Sequence, residues 1–125
     1  MQSDVLLDTN VVIDFLRGND LAVSLVRALA APPAVSVVTM AEIFAGLKNR
    51  RDEAGAQAFF SDSVLLSIGP EVAQRSGVFA RHYRASHGLD IPDALIAATA
   101  EQHKLPLATL NVKHFPMFPK LKRAY

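Results

Sequence analysis

The sequence predicts an α/β layer fold with a mostly parallel sheet. Three observations carry that prediction. Short apolar runs, VLLD, AVSVV, VLLSI and LPLATL, recur along the chain, most of them closed by polar residues, Pro or Gly. Longer stretches with helical spacing lie between them. Half of the 125 residues are hydrophobic, which is enough for a buried core. Strands that alternate with helices are joined by crossovers, and crossovers make parallel sheets. The length suits one domain, residues 1–125, and the chain has no repeat and no linker.

The elements follow in order. VLLD at 5–8 reads as a short buried strand. From Asn10 the apolar residues Val11, Val12, Phe15 and Leu16 fall on one side of a helix that ends near Gly18. LAVSLVRALA at 21–30 is a second helix, stopped by Ala31-Pro32-Pro33. AVSVV at 34–38 is the second strand, and Thr39 opens a helix to about Arg50. A helix at 52–60 and a third strand, VLLSI at 64–68, come next. Gly69-Pro70 breaks that strand, and a long helix spans 71–86 until Gly88 ends it. Residues 93–103 form another helix, and LPLATL at 105–110 is the last strand. The tail around HFPMFPK is too rich in Pro for a regular element.

Composition excludes some functions and leaves others open. Thirteen basic and twelve acidic residues give a net charge of +1, which does not mark a nucleic-acid binder. Beyond Glu101, however, Lys104, Lys113, Lys120, Lys122 and Arg123 occur with no carboxylate among them. Such an end is either a solvated tail or a patch that attracts phosphates, and Arg81 and Arg84 are further phosphate candidates. There is no cysteine, hence no disulfide and no thiolate chemistry, which fits a reducing cytoplasm. No leader is expected, because MQSDVLLDTN has an acid where a basic segment belongs, and no apolar run has membrane-spanning length.

Parallel sheets hold ligands at the carboxyl ends of their strands. Asp8 closes the first strand there, Glu42 follows the second, and Thr109 and Asn111 close the last. Asp93 stands at a helix start after Ile91-Pro92. Each acid also has a local explanation. Asp8 fits a helix cap or an Asx turn. Glu42, three residues after Thr39, fits a capping box. Asp93 suits the positive end of a helix dipole. If all three meet over one sheet edge, they repel one another, and no Lys or Arg lies beside them in sequence. A divalent cation relieves that repulsion. Hard oxygen ligands suit Mg²⁺, with Mn²⁺ as a substitute, and the lack of cysteine disfavours zinc. Asp90, near Asp93, is read as a cap or a solvated residue, and Asp14 is given a low rank. The four histidines are expected at surface or partly buried positions, with His114 the one closest to the site in sequence.

Three blocks, LLDTNVVIDFL, SVVTMAEIFAGL and DIPDALIAATAEQHKLPLATLNVKHF, come in an order and spacing that resembles the PIN-domain family, and closely its VapC toxins. Together they cover nearly the whole chain. The resemblance implies a three-layer α/β/α domain and a metal-dependent endoribonuclease, the toxin of a toxin–antitoxin pair. It implies Asp8, Glu42 and Asp93 as metal ligands, with Asn111 where many members have a fourth acid. Thr9, Asn10 and Thr109 match supporting polar positions, while His114 stands where Asp is common. It further implies RNA as substrate, products with 5′-phosphate and 3′-hydroxyl ends, a VapB-like antitoxin and a homodimer. The rival readings are a DNA nuclease, a non-catalytic module of the same fold, and an aspartyl-phosphate phosphatase. The last needs D-x-D, and residue 10 is Asn.

Overall fold

The computed structural model describes residues 2–125. Four parallel strands form one sheet: β1 (Leu6–Leu7), β2 (Ala34–Ser36), β3 (Val64–Leu66) and β4 (Leu107–Ala108), in the order β3-β2-β1-β4. Leu6 faces Ala34 and Leu107 across the ladder, and Leu7 faces Val35 and Ala108. Helices α1 (Thr9–Leu16) and α2 (Asp20–Arg27) connect β1 to β2. Helices α3 (Val37–Ala45) and α4 (Arg50–Ser61) connect β2 to β3, and α5 (Pro70–His87) and α6 (Ile91–His103) connect β3 to β4.

Alternation along the strands divides the core into two. Leu6, Ala34 and Leu107 point into a cluster with Phe79, Leu89, Ile96 and the alanines of α6. Leu7, Val35 and Ala108 point the other way, against Val11, Val12, Ile43, Phe59 and Phe60. Helices α1 to α4 thus cover one face and α5 with α6 the other, which is the three-layer arrangement. Strands β1, β2 and β4 are buried on both faces, so they read as continuous apolar runs rather than alternating ones, whereas the edge strand β3 leaves Leu65 exposed.

The helix boundaries differ from the sequence expectation where polar side chains decide them. Ser36 Oγ accepts from the Val38 N–H at 3.0 Å, so α3 starts at Val37 and β2 stops two residues short of the expected end. The β-branched pair Val37-Val38 is therefore helical, and the Thr39–Glu42 capping box does not form. Thr39 is buried inside α3, and Glu42 lies on its second turn, not its first. The same helix ends at Gly46 rather than Arg50, because Asn49 begins α4 by capping Asp52. Asn19 likewise starts α2, accepting from Leu21 and Ala22. Asp90 caps α6 through the Asp93 N–H at 3.2 Å, as its reading as a cap requires. Gly88 closes α5 in the left-handed region, at φ 67°. Pro92 sits within the first turn of α6, where its missing N–H costs nothing. Among the described residues, no helix is long and apolar enough to cross a membrane.

Candidate functional site

The chain steps from β1 to β2 to β3 in one direction, then jumps back past β1 to β4. The reversal leaves a crevice between the carboxyl ends of β1 and β4, the place where open α/β sheets bind ligands. Asp8 follows β1 and Thr109 follows β4, so the topology brings these two residues, 101 positions apart, into contact. Thr109 Oγ1 donates to Asp8 Oδ2 at 2.7 Å, and the Thr9 N–H donates to Asp8 Oδ1 at 2.8 Å. Asp8 therefore also caps α1, and it is only 3 % exposed. Burial pushes its carboxyl above the usual value and Glu42 adds to that, while the bonds from Thr109 and Thr9 work against it.

The supporting residues form two small networks. Thr109 Oγ1 also accepts from the Asn111 N–H at 3.0 Å, and Asn10 Oδ1 accepts from the Leu110 N–H at 3.3 Å. The end of β4 is thereby tied to the start of α1. On the other side, Thr9 Oγ1 donates to Glu42 Oε1 at 2.8 Å and lies 2.9 Å from Thr39 Oγ1. A hydroxyl has one proton, so Thr39 must be the donor to Thr9. Glu42 itself is exposed, at the rim of the crevice.

Asp93 enters from the first turn of α6. Its carboxyl is pushed up to about 6, first by burial, then by the charges of Asp8 and Asp90, with His114 opposing. His114 Nδ1 lies 3.3 Å from Asp93 Oδ2. Among the described residues, the only basic group that pairs with a candidate acid is thus an imidazole, the residue that departs from the family pattern. Asn111 is exposed beside the crevice, and its backbone, not its amide, makes the contact with Thr109.

The three acids share one end of the sheet. Among the described residues, however, no three His, Cys, Asp or Glu side chains are gathered so as to hold a metal ion together. His82, His87 and His103 are exposed, as are Arg81, Arg84, Lys104, Lys113 and Lys120. Two contacts had no signal in the sequence. Tyr125 Oη donates to Asp14 Oδ2 at 2.6 Å, and the Ala124 N–H donates to the Thr109 carbonyl at 2.9 Å. Burial, and then this bond, push the Tyr125 phenol above its ordinary value. The tail therefore returns to the end of β4.

This crevice, with buried and half-buried acids at the turning point of a short parallel sheet, is the architecture of a PIN domain. The PIN-domain model matches residues 5–120, and the chain belongs to that family. Within it the chain is closely related to the VapC-type toxins. It is 40 % identical to the ribonuclease VapC19 of Mycobacterium tuberculosis, over 96 % of this chain and 98 % of the relative. It is 41 % identical to VapC10 of the same organism, over 94 % and 90 % of the two chains. Among solved structures, a toxin–antitoxin complex from Klebsiella pneumoniae superposes with a TM-score of 0.82 at 32 % identity, covering 97 % of this chain and 98 % of that one.

Proposed function

We propose that the protein is a Mg²⁺-dependent endoribonuclease, the toxin of a toxin–antitoxin pair, and that Asp8, Glu42 and Asp93 are its metal ligands. The observation that carries the reading is the buried Asp8 carboxylate, close enough to Asp93 at the turning point of the sheet for its charge to push the Asp93 carboxyl up. Two acids held together, with one imidazole to offset them, form a site built for a cation. The donor set is hard oxygen, with no sulfur. Mg²⁺ is commonly held by one or two carboxylates, keeping several waters and taking substrate phosphate oxygens as well. Mn²⁺ suits the same donors.

When bound, the ion supplies a water of lowered pKa and offsets charge on the phosphate oxygens. The residues supply position. Thr109 and the Thr9 N–H fix the Asp8 carboxylate plane. The Thr9 hydroxyl holds Glu42 at the rim, from where it would bind the ion directly or through water. His114 orients Asp93. Asn111 offers a neutral amide where a fourth acid would add charge, and Asn10 keeps β4 in register with α1. In-line hydrolysis with these roles leaves a 5′-phosphate and a 3′-hydroxyl. A VapB-like antitoxin as partner, a homodimer and a single domain over 1–125 belong to the same reading, supported by the relationship to VapC.

The test is a transcriptome-wide map of 5′-phosphate ends after expression, set against Asp8→Asn. New ends that depend on Asp8 and vanish with EDTA in vitro are expected. RNA cleavage that persists in Asp8→Asn, or in EDTA, would sink the mechanism. Cleavage of DNA alone would reassign the substrate.

A further inference from the structure

Strand β4 is an edge of the sheet, with β1 beside it and no strand beyond. Open edges are commonly covered by a helix or a loop, and here the tail takes that place. Phe115, Met117, Phe118 and Leu121 pack on the α5–α6 side of the sheet, in the cluster of Leu6. Ala124 and Tyr125 pack on the opposite side, in the cluster of Leu7. The tail therefore crosses from one layer to the other past β4. It is fastened at two points after the crossing. The Ala124 N–H donates to the Thr109 carbonyl at 2.9 Å, and Tyr125 Oη donates to Asp14 Oδ2 at 2.6 Å. Among the described residues Asp14 forms no ion pair, so the phenol is what answers its carboxylate. Burial and that carboxylate push the phenol up, so it stays a donor across the neutral range.

Both fastenings lead to Asp8. The Thr109 carbonyl and the Leu110 N–H belong to one planar peptide unit. Ala124 holds its oxygen, and Asn10 Oδ1 holds its N–H at 3.3 Å. The hydroxyl of the same Thr109 donates to Asp8 Oδ2 at 2.7 Å. The second fastening lands on α1, whose first N–H, that of Thr9, donates to Asp8 Oδ1 at 2.8 Å. The two oxygens of Asp8 are thus held from β4 and from α1, and the tail joins those two elements. We propose that Ala124 and Tyr125 are positioning residues, a strap that holds Thr109 against α1 and so keeps the Asp8 carboxylate in the orientation that takes the cation. Neither touches the reacting atoms. Ligands to a metal depend on such outer supports for their orientation. That role rests on the metal-ligand reading of Asp8, and it gives Asp14 a function that its place on α1 alone does not.

The experiment titrates Mn²⁺ into the full chain, reading free Mn²⁺ by electron paramagnetic resonance, with the Tm recorded for every variant. Tyr125→Phe keeps the ring and removes only the hydroxyl, and Ala124→Pro removes the N–H. Each is expected to weaken Mn²⁺ binding about threefold to tenfold, less than the loss of a partner bonded to the ligand itself. Asp14→Asn, which still accepts from the phenol, should bind Mn²⁺ more tightly than Asp14→Ala, at equal charge. Tyr125→Phe should change nothing further in an Asp14→Ala background. Val72→Ala, a cavity in the other layer, should lower the Tm and leave Mn²⁺ affinity unchanged. Parental affinity in folded Tyr125→Phe and Ala124→Pro would overturn the proposal, and so would an equal loss in Val72→Ala. If the parent binds no Mn²⁺, the ligand role of Asp8 fails, and hydrogen exchange at the Leu110 amide of the metal-free protein decides the strap. Exchange about threefold faster or more in Tyr125→Phe supports it, and unchanged exchange overturns it. Mn²⁺ binding that follows these variants in a protein that cuts no RNA would count against the ribonuclease reading alone.

Discussion

Asp93 and Thr109 test the candidate site from opposite directions. Asp93 has an ordinary pKa of 3.8 and is raised to about 6 in the fold. A raised folded pKa means the folded state binds that proton more tightly. The resulting stability is present below about pH 4 and is lost as pH rises through about 6. With the side chain 26 % exposed, the cost at neutral pH is on the order of 2 kcal/mol. Asp93→Asn should therefore raise the Tm of the metal-free protein above pH 6, and the gain should disappear near pH 4. Mg²⁺ should raise the parent's Tm more than the variant's, since the variant lacks a ligand. Equal Tm curves across that range would show that Asp93 is not strained by its neighbours. Thr109→Val removes the hydroxyl that donates to the buried Asp8. A buried carboxylate left short of a donor costs roughly 1–3 kcal/mol. Thermal unfolding should show that loss, and RNA cleavage should fall even at saturating Mg²⁺. Full cleavage at saturating metal would mean that Thr109 does not orient Asp8.

Helix starts decide where the site residues point. Ser36 caps α3 through Val38, and the register of that helix sets Glu42 one turn further along than a Thr39 cap would. Ser36→Ala should cost about 1 kcal/mol, within the usual range for a lost N-cap, whereas Thr39→Val should leave the helix start intact. Denaturant midpoints for the two variants discriminate the caps: a larger helix loss in Thr39→Val would restore the capping box. The element types and order were legible in the sequence because apolar period, Pro and Gly are local signals. The ends of elements were less legible. Val37 and Val38 carry strand propensity, yet the serine hydroxyl that caps Val38 starts the helix there, and propensity is a weak term against that. Asp8, Glu42 and Asp93 were legible as candidates because each follows a strand or opens a helix. Their hydrogen-bond partners were not. The Thr9–Glu42 and Thr109–Asp8 bonds depend on strand order, and the Tyr125–Asp14 bond depends on where an irregular tail returns. His114 was legible as a departure from the family pattern and as the histidine beside the site, but not its partner, which the fold makes Asp93.

The whole molecule depends on a sheet whose strands are only two or three residues long. So few ladder bonds cannot hold the layers apart from their side chains. Leu6 and Leu7 are adjacent, fully buried, and belong to different cores. The same central strand thus seals both faces, and Asp8 is its next residue. A layer that came loose on either side would release β1 and with it the site. The chain should therefore unfold as one unit, with Leu6→Ala and Leu7→Ala each costing about 2–5 kcal/mol, the usual range for buried leucine truncation. Against a stability of about 5–15 kcal/mol, either change is large but survivable. In urea, far-UV circular dichroism and a fluorophore placed on α5 or on α4 should report one coincident transition in the parent and in both variants. Separate transitions for the two helical layers, or a variant that melts only its own face, would show two folding units instead of one. If the transition is single, RNA cleavage should be lost at the same denaturant concentration as the helices, because the acids have no support that outlasts β1.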